Sequence, residues 1–245
     1  MRYAVCFRGI SYLEDYHYVD NLPNYTVDFS VSLPNLQKMI IEPAKEKDHT
    51  VDFFFSTYPS SKLEYFKSEL SPLAITLSEY KQTAAGTPNL VYKGVLESLQ
   101  MLIKQQERGS FTYDYVMISR FDMVLFEKLT DIYLPENAMS VISPGDDGCF
   151  LISGNLINDL YSHYIKLQAN NVSNHQFAIR FKQNGFRVHQ LYPTIVDQYK
   201  YPFYKATRHF IKGNPHYVCE YNDHFNPDSQ NYIYHYKMFT EFHSL

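Results

Sequence analysis

Arg120 and Asp122 are the residues whose types and spacing speak most directly of chemistry. They interrupt an apolar stretch that runs Tyr113-Asp-Tyr-Val-Met-Ile-Ser-Arg-Phe-Asp-Met-Val-Leu-Phe126. Neither strand propensity nor packing asks for a charged pair between two buried-looking segments. A metal-chelated diphosphate would use both groups. Divalent Mg or Mn prefers hard oxygen ligands and is usually held by one or two carboxylates together with diphosphate oxygens, which is the role open to Asp122. The planar fork of Arg120 matches two phosphate oxygens. A simpler account is also open: a strand-end Asp bonded to its own turn, or an Arg120–Asp122 ion pair.

A second acidic feature is the turn Gly145-Asp-Asp-Gly-Cys-Phe150, which leads into another apolar run. A carboxylate there, Asp147 by preference, is a candidate general base for a hydroxyl. The same composition also describes a polar hairpin turn. Arg8-Gly9 closes the first apolar run, and a glycine at that point lets backbone approach a nucleotide in torsions other residues avoid. Arg8-Gly-Ile-Ser-Tyr-Leu lacks the repeated glycines of a dinucleotide fingerprint, and no phosphate-binding P-loop, nucleophile elbow or His-Glu-x-x-His helix occurs. His209, His216, His224 and His235 lie scattered near the C-terminus, where one could complete a metal or diphosphate site.

The elements that must position these residues are legible from apolar patterning. Strands are expected over Arg2–Phe7, Val51–Phe55, Leu73–Leu77 and Tyr113–Ser119, then near 138–142, 149–152 and 186–191. Helices are expected over 35–47, with Pro43 as a kink, and over 61–69, 155–167 and 174–184, the last capped by Ser173 and Gly185. The clearest helix runs from Pro88 to about Gln106, with Thr87 as N-cap and Gly109 closing its end. Its apolar face is Val91, Tyr92, Val95, Leu96, Leu99, Leu102 and Ile103. Strands alternating with helices imply a mostly parallel central sheet flanked by helices, with mixed strands after Asp122. In such sheets ligands bind at the carboxyl ends of the strands, which sets Arg8-Gly9, Thr57-Tyr58, Glu79-Tyr80 and Arg120–Asp122 on one rim.

Composition bounds the remaining possibilities. With 245 residues, 45% hydrophobic and 20% charged, the chain is long enough for a substantial core, and a net charge of −4 gives no overall field for nucleic acid. It carries 23 Tyr and 18 Phe but no Trp, and tyrosine faces suit both core packing and stacking on bases or sugars. Cys6, Cys149 and Cys219 are far apart and odd in number, which fits a reducing compartment and hence the cytoplasm. No run reaches the roughly 18 apolar residues of a transmembrane helix. Residues 1–199 are expected to form one domain, with 200–245 as an extension packed on it.

Taken in order, these pieces resemble nucleotide-sugar glycosyltransferases of the GT-A type, in particular small soluble ones of bacteria and large DNA viruses that carry Arg-x-Asp in place of Asp-x-Asp. The matching segments are Ala4-Val-Cys-Phe-Arg-Gly9, Val51-Asp-Phe-Phe-Phe-Ser-Thr-Tyr58, Tyr113 to Asp122 and Asp147-Gly-Cys-Phe-Leu-Ile-Ser-Gly154. The resemblance implies a GT-A-like (Rossmann-like) single α/β domain that moves a sugar from a nucleoside diphosphate donor, with UDP expected, to a hydroxyl of a glycan acceptor. It implies Arg8, Gly9, Thr57, Tyr58 and Arg120 around the nucleotide, Asp122 at Mn2+ or Mg2+ and the diphosphate, and Asp147 together with Arg120 in catalysis. Two departures stand out. Arg120 replaces the first acid of the usual motif, and Asn174-His175-Gln176 stands where related helices often begin with an acidic residue. Rival readings are a nucleotidyltransferase on a similar sheet, which would call for a basic Gly-rich loop after the first strand, and a non-catalytic glycan-binding module.

Overall fold

Ala4, Val5, Cys6 and Phe7 are all completely buried, as a strand covered on both faces must be. In the computed structural model, which describes residues 1–16, 25–79, 88–121, 123–125, 127–141, 148–169, 176–191 and 203–205, that run lies within the main sheet. In chain order the strands are β1 (Arg2–Arg8), β2 (Tyr12–Tyr16), β3 (Tyr25–Asp28), β4 (Thr50–Thr57), β5 (Ala74–Leu77), β6 (Tyr115–Arg120), β7 (Met123–Leu125), β8 (Met139–Val141), β9 (Cys149–Ser153), β10 (Val188–Gln190) and β11 (Phe203–Lys205). The helices are α1 (Leu33–Leu36), α2 (Glu42–Glu46), α3 (Leu63–Leu70), α4 (Pro88–Gly109), α5 (Ile157–Ala169) and α6 (Phe177–Gln183).

Seven strands form the central sheet in the order β10-β8-β9-β6-β1-β4-β5. β1 lies parallel to β4 and β6, and β4 parallel to β5, whereas β9 runs antiparallel to both β6 and β8. This mixed, mostly parallel sheet flanked by helices is a GT-A-like Rossmann fold in a single α/β domain. From β1 the chain builds outward through β4 to β5, then returns through α4 to place β6 on the other side of β1. The strand order therefore reverses between β1 and β6.

Side-chain alternation divides the interior in two. Ala4, Cys6, Phe54, Val116 and Ile118 face a layer made by α4, α5 and α6, with Val95, Leu99, Leu102, Leu160, Tyr164, Phe177 and Phe181 packed on them. Val5, Phe7, Phe53, Phe55 and Met117 face the opposite layer, where Phe29, Leu36, Ile40 and Phe66 come from the turns and helices between 29 and 70. At the amino end of the sheet, Asp52 is held by Arg2 at 2.7 Å and accepts a 2.9 Å hydrogen bond from the buried Tyr113 hydroxyl. Burial and that carboxylate together push the Tyr113 phenol well above its ordinary pKa.

Several local expectations are revised. Pro43 stands in the first turn of α2. A π turn over Gln37–Ile41 sits between α1 and α2, and the Glu42 N–H reaches back to the Gln37 carbonyl. Proline lacks an N–H, so widening the helix just before it spares a regular ladder that could not be completed. Gly109 is the last residue of α4, and the left-handed residue after it is Ser110, with φ 49°. A Cβ at 109 would lie 2.2 Å from the Phe111 ring, so a larger residue there would require that ring to move. The hairpin β2–β3 has no counterpart in the apolar patterning. In the C-terminal region, Phe203–Lys205 pairs antiparallel with Met123–Leu125, which follow the Arg-Phe-Asp segment. Thr87, Ser173, Asn174, His175 and Cys219 lie outside the described residues, whereas Cys6 and Cys149 are buried free thiols. Among the described residues no helix is long and apolar enough to cross a membrane.

Candidate functional site

The carboxyl ends of β1, β4, β5 and β6 lie on one rim because these strands are mutually parallel. Ligands of open α/β sheets bind outside those ends, where the strand order reverses. Here that point lies between β1 and β6, whose last residues are Arg8 and Arg120, and the two are register partners. Neighbouring strands are about 4.8 Å apart, so two guanidinium-bearing side chains leave adjacent backbone positions on the same face. That face is the one covered by α4: a Cβ built on Gly94 would lie 3.4 Å from the Arg8 Cβ and 3.7 Å from its Cδ. Arg8 is 4% exposed, while Arg120 is only half-buried.

Phe121 explains how a charged segment is held next to apolar strands. Alternation carries Arg120 to the α4 face and Phe121 to the other, where it is 1% exposed. Its ring lies 4.7 Å from that of Phe29 and 5.4 Å from those of Phe7 and Phe55. The residue between Arg120 and Asp122 is therefore a core anchor. The Arg120 N–H donates to the Gly148 carbonyl at 2.8 Å, which ties the end of β6 to the start of β9. Asp122 and Asp147 themselves lie outside the described residues, as do Asp146, Tyr80 and His209, His216, His224 and His235.

Gly9 has φ 98°, a left-handed value that favours glycine, and its N–H donates to the Ser56 carbonyl at 2.9 Å. Thr57 is buried. Its hydroxyl donates to the Gly9 carbonyl at 2.8 Å and lies 3.0 Å from the Ser11 Oγ. Thr57 thus shapes the loop after β1, and its hydroxyl is engaged within the protein. Tyr58, the next residue, is half-buried on the same rim.

A polar cluster beside Arg8 completes the described rim. Glu97 on α4 accepts from the Ser56 Oγ at 2.7 Å and from the Ser78 Oγ at 3.0 Å. Both serines are buried, and the Glu97 side chain is only 14% exposed, with the Lys93 Nζ 3.7 Å away. Ser78, just past the end of β5, brings that strand end into this network. Sequence reasoning misses Glu97 because the apolar face of α4 dominates its pattern. The signal that could have found it is Gly94 and Ser98, a small pair one turn apart beside that face, with the Ser98 hydroxyl bonded back to the Gly94 carbonyl.

Among the described residues no group of three or more His, Cys, Asp or Glu side chains could hold a metal ion. The rim's described side chains do not by themselves make a divalent-cation site. Arg8 and Arg120 are cations, and the Glu97 oxygens are engaged by serine hydroxyls. The arginine pair fits an anion.

No protein-family model matches the chain, and no curated protein does. Solved structures similar to it include Drosophila beta1,4-galactosyltransferase 7, at 10% identity and TM-score 0.39, over 77% of this chain and 64% of that one. A second is a protein from Desulfovibrio desulfuricans described as a putative nucleotide-diphospho-sugar transferase, at 11% identity and TM-score 0.44, over 77% of this chain and 78% of that one. A third is a glycosyltransferase involved in the glycosylation of the major capsid of PBCV-1, at 8% identity and TM-score 0.39, over 76% of this chain and 80% of that one. The chain thus spans 64% of the length of the Drosophila enzyme. Likeness at this level assigns no activity.

Proposed function

We propose that the chain is a glycosyltransferase that moves a sugar from a nucleoside diphosphate donor, UDP by expectation, to a hydroxyl of a glycan. The observation that carries this reading is the in-register pair Arg8 and Arg120 at the carboxyl ends of β1 and β6, where the strand order reverses. Paired guanidiniums at that point match the oxygens of a diphosphate. Gly9, with its left-handed torsion, leaves the chain after β1 without side-chain bulk where a nucleotide would lie. Thr57 and Tyr58 border the same loop.

In the proposed reaction the bond between the anomeric carbon and the outer phosphate oxygen breaks, and the acceptor oxygen bonds to that carbon. Charge then gathers on the departing diphosphate. Arg120 and Arg8 oppose it electrostatically, a contribution that grows as the bond breaks. The acceptor's proton passes to a carboxylate, for which Asp147 is the candidate. Asp122 would be the carboxylate of any Mn2+ or Mg2+ bound there, sharing the ion with the donor's own phosphate oxygens.

The test is an activity screen with UDP-, GDP- and CMP-sugars over a panel of glycan acceptors, reading released nucleotide, with chelated and Mn-supplemented samples side by side. One donor is expected to turn over, and Asp122→Ala to abolish that turnover with the fold intact by circular dichroism. Full activity in Asp122→Ala would remove Asp122 from the site, and release of pyrophosphate from nucleoside triphosphates would favour a nucleotidyltransferase.

A further inference from the structure

Glu97 is an unfavourable side chain for packing at the place it occupies. α4 otherwise packs on the sheet through Val95, Leu99 and Leu102, and an apolar side chain would make that contact without burying a charge. The carboxylate is instead held by two neutral hydroxyls, Ser56 near the end of β4 and Ser78 just past β5. The exposed Lys93, one turn away at 3.7 Å, adds only a weak surface pair. The contact reaches further than the helix. Gly94 lies on the turn before Glu97, and the point where its Cβ would stand is 3.7 Å from both the Ser56 Oγ and the Arg8 Cδ. Ser56 and Arg8 are themselves register partners on β4 and β1. The carboxylate, the serine, the bare face of Gly94 and the Arg8 stem are therefore contiguous.

We propose that Glu97 is a positioning residue for Arg8: by holding Ser56 and Ser78 it pins the Gly94 turn of α4 against the Arg8 stem and so fixes the guanidinium at the diphosphate end of the site. The inference rests on the function proposed above. A latch of this kind makes phosphate affinity depend on a residue that touches no phosphate. It also accounts for the small residues at 56 and 94, since bulk at either position would push the helix off Arg8.

Calorimetric titration of the full chain with UDP tests this. Glu97→Ala is expected to raise the Kd about tenfold, and Glu97→Gln, which can still bond both serines, to stay within about threefold of wild type. In an Arg8→Ala background the further effect of Glu97→Ala should disappear, because residues acting through one another are not additive. Ser56→Ala, a smaller change, should weaken binding in the same direction and serves if Glu97→Ala does not fold. An undiminished affinity in these variants, or a Glu97→Ala penalty equal in both backgrounds, overturns the inference while leaving the function standing. Absence of UDP and GDP binding by the wild-type chain overturns both.

Discussion

Replacing Phe121 tests whether the Arg-Phe-Asp segment is anchored in the core. The side chain is 1% exposed, and its ring lies 4.7 Å from Phe29 and 5.4 Å from Phe7 and Phe55. Truncation to alanine removes a fully buried aromatic and leaves a void, at a cost of about 3–5 kcal/mol. For a domain of this size each kcal/mol moves the midpoint by about 2–4 °C, so Phe121→Ala should melt about 6–20 °C lower. Leucine keeps much of the volume but gives up three aromatic pairs that contribute about 0.5–1.5 kcal/mol each, so Phe121→Leu should lose at least about 1.5 kcal/mol, less than the alanine variant, and remain folded at room temperature. In that folded variant Arg120 is less firmly held. A loss of about 1 kcal/mol in positioning it would appear as about a fivefold weaker Kd for UDP. Thermal melts followed by circular dichroism, with calorimetry on the leucine variant, read both effects. A Phe121→Ala melt within about 2 °C of wild type would refute the anchoring role.

Other outcomes follow from the core. Tyr113→Phe leaves the buried Asp52 carboxylate with one hydrogen-bonding partner fewer and should lower stability by about 1.5–3 kcal/mol in urea unfolding, with UDP binding unchanged because the change lies at the opposite end of the sheet. Gly154→Ala would set a Cβ 1.7 Å from the Tyr113 carbonyl oxygen, a backbone collision that no rotamer relieves, and should abolish the soluble folded chain on expression. His163 is buried among Phe177, Phe181 and Phe186, and burial, aided by Lys166, lowers its pKa. The unfolded chain therefore binds a proton that the folded one resists. Its contribution to stability is full above the ordinary histidine pKa and is lost as pH falls toward the depressed folded value. His163→Leu should flatten the fall in stability between neutral and mildly acidic pH, and an unchanged pH slope in urea unfolding would contradict the assignment.

The strands of this fold are legible where burial on both faces makes them continuously apolar, as in Ala4–Phe7, Phe53–Phe55 and Val116–Ile118. Their alternation with helices implies the parallel arrangement of β1, β4, β5 and β6. The reversal of β9 is not legible, because Cys149–Ser153 is buried throughout and reads the same in either direction. The hairpin β2–β3 escapes for a different reason: Glu14, Asp15 and Asp28 break the alternation that would mark a half-buried strand. At the site, Arg8 and Arg120 each show as a charge at the end of an apolar run, so their chemistry is visible singly. Their adjacency is not, since register between distant strands is a tertiary property. Phe121 looks like an incidental spacer until alternation is carried through β6 and turns it into the core.

Whether Arg8 and Arg120 together receive a diphosphate is read most directly by calorimetric titration of the wild-type chain with UDP and with UMP, repeated for Arg8→Gln and Arg120→Gln. UDP should bind at least about tenfold more tightly than UMP, and that preference should collapse in both variants, since each removes a charge-assisted contact to the outer phosphate. Equal affinity for UDP and UMP in the wild type, or a preference that survives both substitutions, would contradict it.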